Sequence, residues 1–256
     1  LAEKVASTLG YRCESREVFL EAHQRYGVSE AKFTEILETV PRWWERWRES
    51  MRLYRIVLQA AMCEVAQEGN LVYHGHGGHE LLPGIRHVLK IHLTAPMTYR
   101  VEQVRAREGK DEEAAQQYIE QVDRARNRRL QAVFGTDWRD PNRYDFVINI
   151  AQMTLDTACH LIVEAVRRED YQPTAASEQA FQDLLITSRV QAALITSPKT
   201  RNLTINVQVQ KGEAYVSGIL AQSELEQEIT EISKGVQGVN NVVADFESPP
   251  IEYMYP

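Results

Sequence analysis

The residues best suited to chemistry are concentrated in one loop, NLVYHGHGGHELLPG, at positions 70–84. This loop places His74, His76, His79 and four glycines directly after a short apolar run. Glycines at the end of a strand let the backbone approach a ligand closely, and neighbouring imidazoles can donate hydrogen bonds to phosphate oxygens. The loop is therefore a candidate anion-binding loop. The alternative is a glycine turn whose histidines face solvent or form local hydrogen bonds.

A zinc site is a third interpretation of the same loop, because closely grouped imidazoles bind this metal. A binuclear hydrolase loop of the HxHxDH type requires an acidic residue within the run, and Gly78 occupies that position here. The histidines downstream of the loop lack carboxylate companions at suitable spacing: His87, His92 and His160. The sequence therefore predicts no metal site.

A run of arginines, DRARNRR, forms the second candidate site. It carries Arg124, Arg126, Arg128 and Arg129 within about two helical turns. A guanidinium stays charged and binds phosphate oxygens in a bidentate manner, so the run is a candidate phosphate clamp. Helical spacing puts Arg126 and Arg129 on one face and Arg124 and Arg128 on another, so only two or three of them can converge. The alternative is a solvated helix face with acidic partners such as Asp123.

Alternating strands and helices position these two sites. The apolar patterns predict strands at NLVYHG, 88–96 and 144–150, and helices at 97–109, 111–135 and 154–169. Such alternation is typical of an α/β fold whose parallel sheet is covered by helices on both faces. Ligands bind at the carboxyl ends of the strands in such sheets, which is where the glycine loop lies. Further helical patterns precede the first strand at 1–10, 15–27, 29–41 and 42–69.

The character of the chain changes after a polar, proline-containing linker at 171–176. Residues 177–247 predict a helix, two alternating strands around a Lys211–Gly212 turn, a second helix and a last strand. This pattern indicates a small α+β domain, and residues 248–256 form a tail. Residues 177–256 hold 5 of the 29 basic residues but 10 of the 36 acidic ones, so this part of the chain is acidic.

Composition limits the function classes. A formal charge of -7 at pH 7 over 256 residues predicts no nucleic-acid binding, which usually requires a basic balance. Three separated cysteines without a CxxC motif are typical of reduced thiols and predict a cytoplasmic location: Cys13, Cys63 and Cys159. No apolar run approaches the roughly 20 residues needed to span a bilayer. The chain begins at Leu1 inside a helical pattern, and we expect a preceding element.

Four segments, taken in order, resemble the cytidylate-kinase-like family of P-loop proteins: LAEKVASTLGYRCESREVFLEA, GNLVYHGHGGHELLPGIRHVLKIHLTAPMTYRVEQV, YIEQVDRARNRRLQAVFG and YDFVINIAQMTLDTACHLIVEAV. The resemblance implies a kinase-like domain at 1–170 that transfers a phosphoryl group from ATP to a nucleoside monophosphate, with ATP and Mg2+ as cofactors. It makes the helix at 1–10 the one that follows the P-loop, so the P-loop and its strand are expected upstream of Leu1. No GxxxxGK[ST] occurs in the 256 residues, and the ATP-binding residues therefore stay unknown.

The resemblance also implies site residues. Arg126, Arg129 and Asp123 are expected to be catalytic, because Asp123 and Arg126 match the D-x-x-R pattern of the family's lid. Substrate-binding roles are implied for Arg16, Gly75, His76, Gly77, Arg100 and Arg124. The glycine loop stands where the family carries a Gly-Arg-Asp that holds the nucleotide. His76, in place of that arginine, is a weaker and partly uncharged phosphate donor at pH 7.

Residues 177–247 resemble a BON domain through the segments INVQVQKGEAYVSGIL and ISKGVQGVNNVVADF. The resemblance implies attachment to a protein partner, to a second copy of the chain in an oligomer, or to a membrane surface. The acidic balance of this part disfavours binding to anionic lipid. Protein attachment is therefore the favoured expectation.

Together these features predict ATP-dependent phosphoryl transfer to a nucleoside monophosphate or similar small phosphate-bearing acceptor, with a BON module for attachment or regulation. The alternative is a catalytically inactive kinase-fold binding or scaffold protein that assembles through its BON domain. A metallohydrolase that uses the histidine loop is the third hypothesis.

Overall fold

The computed structural model describes residues 1–15, 26, 47–75 and 77–249 of the chain. In chain order its helices and strands are α1 (Ala2–Leu9), β1 (Arg12–Glu14), α2 (Trp47–Gln67), β2 (Leu71–Tyr73), α3 (Gly78–Leu81), β3 (Ile91–Thr94), α4 (Met97–Glu108), α5 (Glu112–Phe134), β4 (Phe146–Asn149), α6 (Leu155–Val166), α7 (Ala175–Thr196), β5 (Ile205–Gln210), β6 (Glu213–Ile219), α8 (Glu224–Lys234) and β7 (Asn241–Glu247). Arg16, His76, the predicted helix at 29–41 and most of the one at 15–27 lie outside the described residues.

The described residues form two compact units. The first contains residues 1–15, 69–75 and 77–173, and the second contains residues 26, 47–68 and 174–249. None of the helices in the described ranges is both long and apolar enough to cross a membrane.

Side-chain caps and a glycine stop set the bounds of two helices in the first unit. Asp111 begins α5 by accepting a hydrogen bond from the Ala114 N–H at 2.8 Å, and α5 ends at Gly135 in the left-handed region. Thr154 begins α6 in the same way by accepting from the Thr157 N–H at 3.1 Å. These local signals fix α5, the helix that carries the arginine run, at 23 residues.

The first unit contains two separate pairs of parallel strands. β1 pairs with β2, with Arg12 opposite Leu71, and β3 pairs with β4, with Ile91 opposite Phe146. Within the described strands β2 and β3 belong to different sheets, so the predicted parallel arrangement takes the form of two two-stranded sheets. The glycine loop follows the carboxyl end of β2, and α4 follows the carboxyl end of β3.

One hydrophobic core joins both strand pairs to helices. Buried side chains of α1, α6 and β4 form this core: Val5, Ile148, Ala158, Cys159, Ile162 and Val163. Val72 of β2 and Ile91 of β3 pack against it. Both strand pairs therefore contribute to the same buried layer, as expected for an α/β unit.

The second unit contains a three-stranded sheet in the order β5–β6–β7. β5 and β6 are antiparallel around the predicted turn, where Lys211 and Gly212 have φ of 51° and 82°, and β7 is parallel to β6. Positive φ at both turn residues matches the twist of the flanking strands. One face of the sheet packs on α7 and α8 around Val190, Val216 and Ile229.

Helix α2 also packs in the second unit, against α7. Ile56 and Ala60 of α2 are buried with Ala192 and Ile195 of α7. The sequence placed α2 in the segment 1–170, whereas its apolar face is covered by a helix that follows this segment. The C-terminal unit therefore includes an element from the first half of the chain.

Polar contacts fix the same helix pair. Arg189 of α7 donates to Glu64 of α2 through Nε at 2.6 Å and Nη2 at 2.8 Å, and its Nη2 also donates to Gln67 at 3.0 Å. Beside this pair, burial raises the pKa of the Cys63 thiol to about 12, so Cys63 is a neutral packing residue.

We predict that Glu64→Ala destabilises the second unit by about 2 kcal/mol, because it leaves a mostly buried guanidinium without its anion. Urea denaturation of the intact chain, followed by circular dichroism, measures this loss. The matched control is Glu228→Ala, which removes an exposed ion pair with Lys199 in the same unit and should leave the midpoint nearly unchanged. Equal midpoints for the two variants would contradict the interpretation.

Candidate functional site

The glycine loop is held between Tyr73 and α5. A Cβ on Gly78 would lie 2.5 Å from Cδ1 and Cε1 of the Tyr73 ring, and Gly75 also lies against this ring. Gly77 has a φ of 80° and packs on α5, where a Cβ would lie 2.9 Å from Cε2 of Phe134. A side chain does not fit at these positions without movement of the ring or of α5. The glycines therefore let the loop lie against the helix that carries the arginine run.

The short helix α3, within the loop, carries His79 and Glu80. Glu80 accepts hydrogen bonds from Arg143, at 2.5 Å from Nε and 2.6 Å from Nη2. Burial alone would raise the pKa of Glu80, but the bonds from Arg143 lower it below its usual value. Nε2 of His79 lies 3.1 Å from Oε1 of Glu80 and 3.4 Å from the hydroxyl of Tyr144. One histidine of the loop thus has a carboxylate and a phenol as neighbours.

Two of the predicted site residues, Arg100 and Asp123, pair with each other. Arg100 of α4 donates to both carboxylate oxygens of Asp123 on α5, at 2.7 and 2.8 Å. A bidentate pair of this kind is geometrically specific. It joins α4 to α5 and commits Asp123 to Arg100 rather than to an arginine of α5.

Arg126 is a half-buried cation without an anionic partner in the described part of the chain. Its guanidinium carbon lies 4.8 Å from the centroid of the Trp138 ring, and its Nε is buried without a hydrogen-bond acceptor. Burial lowers the pKa of Arg126; Asp123 opposes this effect and the like charge of Arg100 adds to it. Arg126 therefore has the environment of an anion-binding residue rather than that of a solvated surface charge.

A column of rings continues from Trp138. His92 of β3 meets Trp138 edge-on with centroids 5.2 Å apart, and it stacks on Tyr144 with centroids 4.8 Å apart. Tyr144 then contacts His79 at 4.6 Å. Burial raises the pKa of Tyr144 to about 12 and lowers the pKa of both histidines, so the column is uncharged near neutral pH. The ring column of His79, Tyr144, His92 and Trp138 connects the glycine loop to Arg126.

The other predicted site residues are spread around this arrangement. Arg124 is exposed and donates to Glu120 at 3.2 Å, one helical turn away on the same face of α5. Arg129 lies on α5, partly buried and with interactions of its own. Arg16 and His76 lie outside the described residues, so their predicted roles stay predictions.

Sequence reasoning did not select five residues that the structure places here. They are Glu80, His92, Trp138, Arg143 and Tyr144. Three of these lie in the connection 136–145 between α5 and β4. The only local signal was its aromatic and charged composition, TDWRDPNRYD, at the end of the arginine-bearing helix.

Metal ligands do not converge in the described ranges. No group of three or more His, Cys, Asp or Glu side chains lies close enough there to hold an ion.

The pH dependence of stability follows from the two half-buried histidines. Since burial lowers the pKa of His79 and His92 in the folded chain, the unfolded state binds more protons once the pH falls below about 6.5. We predict that the urea midpoint falls between pH 7 and pH 5, and that His92→Gln weakens this dependence. His160→Gln, at an exposed position of α6, is the control. An identical pH dependence in all three chains would contradict the assignment.

Two regions of the chain are similar to known protein families. The sequence model described as the cytidylate kinase-like family matches residues 1–152, and the BON domain model matches residues 182–249. A cytidylate kinase of Methanopyrus kandleri is 25% identical over 183 residues, and one of Ignicoccus hospitalis is 29% identical over 170 residues. Each of these matches covers 66% of this chain and 89% of the relative.

One solved structure is also similar, an uncharacterized protein from Eubacterium ventriosum. It matches with a TM-score of 0.49 and 18% identity, over 64% of this chain and 88% of that chain.

Proposed function

This chain belongs to the cytidylate kinase-like family and carries a C-terminal BON domain, and on that basis we propose that it transfers a phosphoryl group from ATP to a nucleoside monophosphate or a similar small acceptor. Relatives named cytidylate kinase suggest a nucleotide as the substrate class. The proposal is for the activity of the first unit, where the glycine loop and the arginine run lie.

The observation that carries the proposal is the environment of Arg126. A guanidinium that has lost part of its hydration without gaining an anion is unfavourable, and a phosphate oxygen supplies the missing acceptor. Arginine suits this role because its charge is permanent and its N–H groups match phosphate geometry. An anionic substrate would therefore bind at Arg126, because it supplies the hydrogen-bond acceptor that the described residues do not provide.

The neighbouring residues fit the same proposal in different roles. Arg100 and Asp123 hold α4 against α5, which fixes the direction of the helix that presents Arg126. Gly77 brings the backbone of the glycine loop onto the same helix. Arg129 shares the face of Arg126 by helical spacing, whereas Arg124 points to solvent beside Glu120. Arg126 and Arg129 are therefore the proposed charge-neutralising residues.

Positioning and electrostatics supply the catalysis in this proposal. Phosphoryl transfer spreads negative charge over the transferred group, and fixed cations stabilise that charge without a covalent intermediate. Arg126 is held by an aromatic platform before the substrate arrives, so little reorganisation accompanies the reaction. The ring column is uncharged and does not compete with the substrate for Arg126.

The ATP side of the site is proposed from the sheet topology. β2 and β3 pack on one core but belong to different two-stranded sheets, and one further parallel strand between them would join the four into a single sheet. We place the strand of a P-loop there, with its loop leading into α1. This arrangement would bring ATP phosphates to the helix N-terminus.

Mg2+ is expected with ATP in this class of reaction. It is usually held by phosphates and one or two carboxylates. The described residues offer no cluster of three ligands, and Asp123 is taken up by Arg100. The described residues therefore do not form a Mg2+ site of their own.

We predict that Arg126→Ala lowers kcat/KM by about 100- to 1,000-fold, because it removes a preorganised charge from the transferred phosphoryl group. The assay uses the full-length protein, ATP with Mg2+ and a panel of nucleoside monophosphates. Arg128→Ala, on the exposed side of the same helix, should retain activity within about twofold. The proposal fails if no monophosphate is phosphorylated by the wild-type protein.

A second candidate is a binding protein of the same fold without activity. It is favoured by His76, a weaker phosphate donor at the position where the family carries an arginine that holds the nucleotide. Binding of a nucleoside monophosphate that depends on Arg126, with no turnover in the presence of ATP, would support this candidate over the kinase.

The BON domain is proposed to attach the protein to a protein partner or to a second copy of the chain. The outer face of its sheet carries exposed Tyr215, Ile219 and Val243 beside Asp245 and Glu247. None of the outward positions of β5, β6 and β7 is a lysine or arginine. Apolar groups on an acidic face suit a protein surface better than an anionic membrane.

We predict that the intact chain does not co-sediment with phosphatidylserine vesicles beyond its background on phosphatidylcholine vesicles. The acidic sheet face is repelled by anionic headgroups. Binding to phosphatidylserine that weakens with added salt would instead indicate membrane attachment through basic residues elsewhere in the chain.

A further inference from the structure

Two neighbouring side chains of the site each carry a buried hydrogen-bond donor without an acceptor among the described residues. The donors are Nε of Arg126 and Nε1 of Trp138, and no described group accepts from either of them. A buried donor without an acceptor is unfavourable, and native proteins rarely retain one without a reason. The two donors belong to stacked groups, with the guanidinium carbon 4.8 Å from the indole centroid. One ligand with several acceptor oxygens can satisfy both.

The indole is fixed by the residues behind it. The backbone oxygen of Trp138 accepts a hydrogen bond from the Tyr144 hydroxyl at 2.7 Å, and His92 contacts the indole edge-on. His92 is itself stacked on Tyr144, so backbone and ring of Trp138 are held by the same pair of side chains. Trp138 therefore presents its ring and its N–H in a defined direction before any ligand binds.

We propose that Trp138 is a further substrate-binding residue of this site, whose ring carries the Arg126 guanidinium and whose indole N–H donates to the same phosphate-bearing ligand. This inference rests on the proposed function, because it takes the phosphate bound at Arg126 to be that of the nucleoside monophosphate or similar substrate that receives the phosphoryl group. The chemistry that Trp138 recognises is a tetrahedral oxyanion with at least two acceptor oxygens. A monoatomic anion would satisfy the charge of Arg126 but would not match two donors held on different groups.

Two substitutions separate the platform from the donor. Trp138→Phe retains an aromatic ring beneath Arg126 and removes the N–H, so the acceptor KM should rise about tenfold with kcat nearly unchanged. Trp138→Leu removes both, so kcat/KM should fall by about a further three- to tenfold because Arg126 loses its support. The control is Tyr118→Leu, which removes the ring under Lys110 in an exposed pair of the same unit and should leave both constants unchanged.

A double-mutant cycle distinguishes this role from a purely structural one. If the ring of Trp138 supports Arg126 while its N–H donates to their shared ligand, the loss from Trp138→Leu should shrink, in a chain that already carries Arg126→Ala, to about the loss from Trp138→Phe alone. Fully additive losses from the two substitutions would overturn the proposal, because they would show that the ring of Trp138 does not support Arg126. Unchanged KM values in both Trp138 variants would overturn it as well.

Ligand binding can be followed without any chemistry. Incorporation of 5-fluorotryptophan into the intact chain gives one fluorine resonance for each of its four tryptophans, and Trp138→Phe identifies that of Trp138. We expect inorganic phosphate and nucleoside monophosphates to shift this resonance in the wild type and to leave it unshifted in Arg126→Ala. A resonance that does not respond, or that responds equally in both chains, overturns the inference. Absence of turnover in the wild type, by contrast, counts against the kinase proposal alone.

Discussion

A cation that has given up part of its hydration needs a compensating anion, and this constraint governs the arrangement around Arg126. Its neighbour Asp123 carries the right charge and lies on the same helix, yet both oxygens of that carboxylate accept from Arg100. What remains for Arg126 is the face of Trp138, which offers a modest attraction but no hydrogen bond. Within the described residues Arg126 is thus an electropositive position whose Nε has no acceptor, and the proposed anion site rests on this feature.

Several elements distant in sequence have to meet for this position to exist. The cap at Asp111 and the glycine stop at Gly135 set the length of α5. Past Gly135 the chain returns toward β4, and on the way it places Trp138 and Tyr144 on either side of His92 from β3. On the far side of the column, His79 and Glu80 tie the end of the glycine loop to Arg143. The loop and the arginine helix are therefore linked by packed rings as well as by direct contact at Gly77.

The structural features that could be predicted from the sequence are those determined by residues close together in the chain. The helices predicted at 111–135 and 154–169 and the turn at Lys211–Gly212 are each encoded by patterns within a short segment, and the structure confirms them. The division of the arginine run into two faces also follows from helical spacing alone, and Arg126 and Arg124 do differ in burial. The ring column has no such local pattern, because it forms only when an irregular connection folds back onto a strand more than 40 residues earlier in the chain. The break between β2 and β3 is likewise a property of pairing between strands, which no single segment records.

The packing of α2 is also a property that no single segment of the sequence records. It bears on the bounds of the two family matches. The cytidylate kinase-like match spans residues 1–152 and so includes α2, but the buried face of α2 is completed by α7, most of which lies in the BON match. The ion pair between Glu64 and Arg189 joins residues 125 positions apart. Only three residues separate the end of α2 from the start of β2, the strand that leads into the glycine loop. The compact unit that contains the BON match therefore also contains α2 from the kinase-like match, so the bounds of the two sequence matches do not coincide with the bounds of the two packed units.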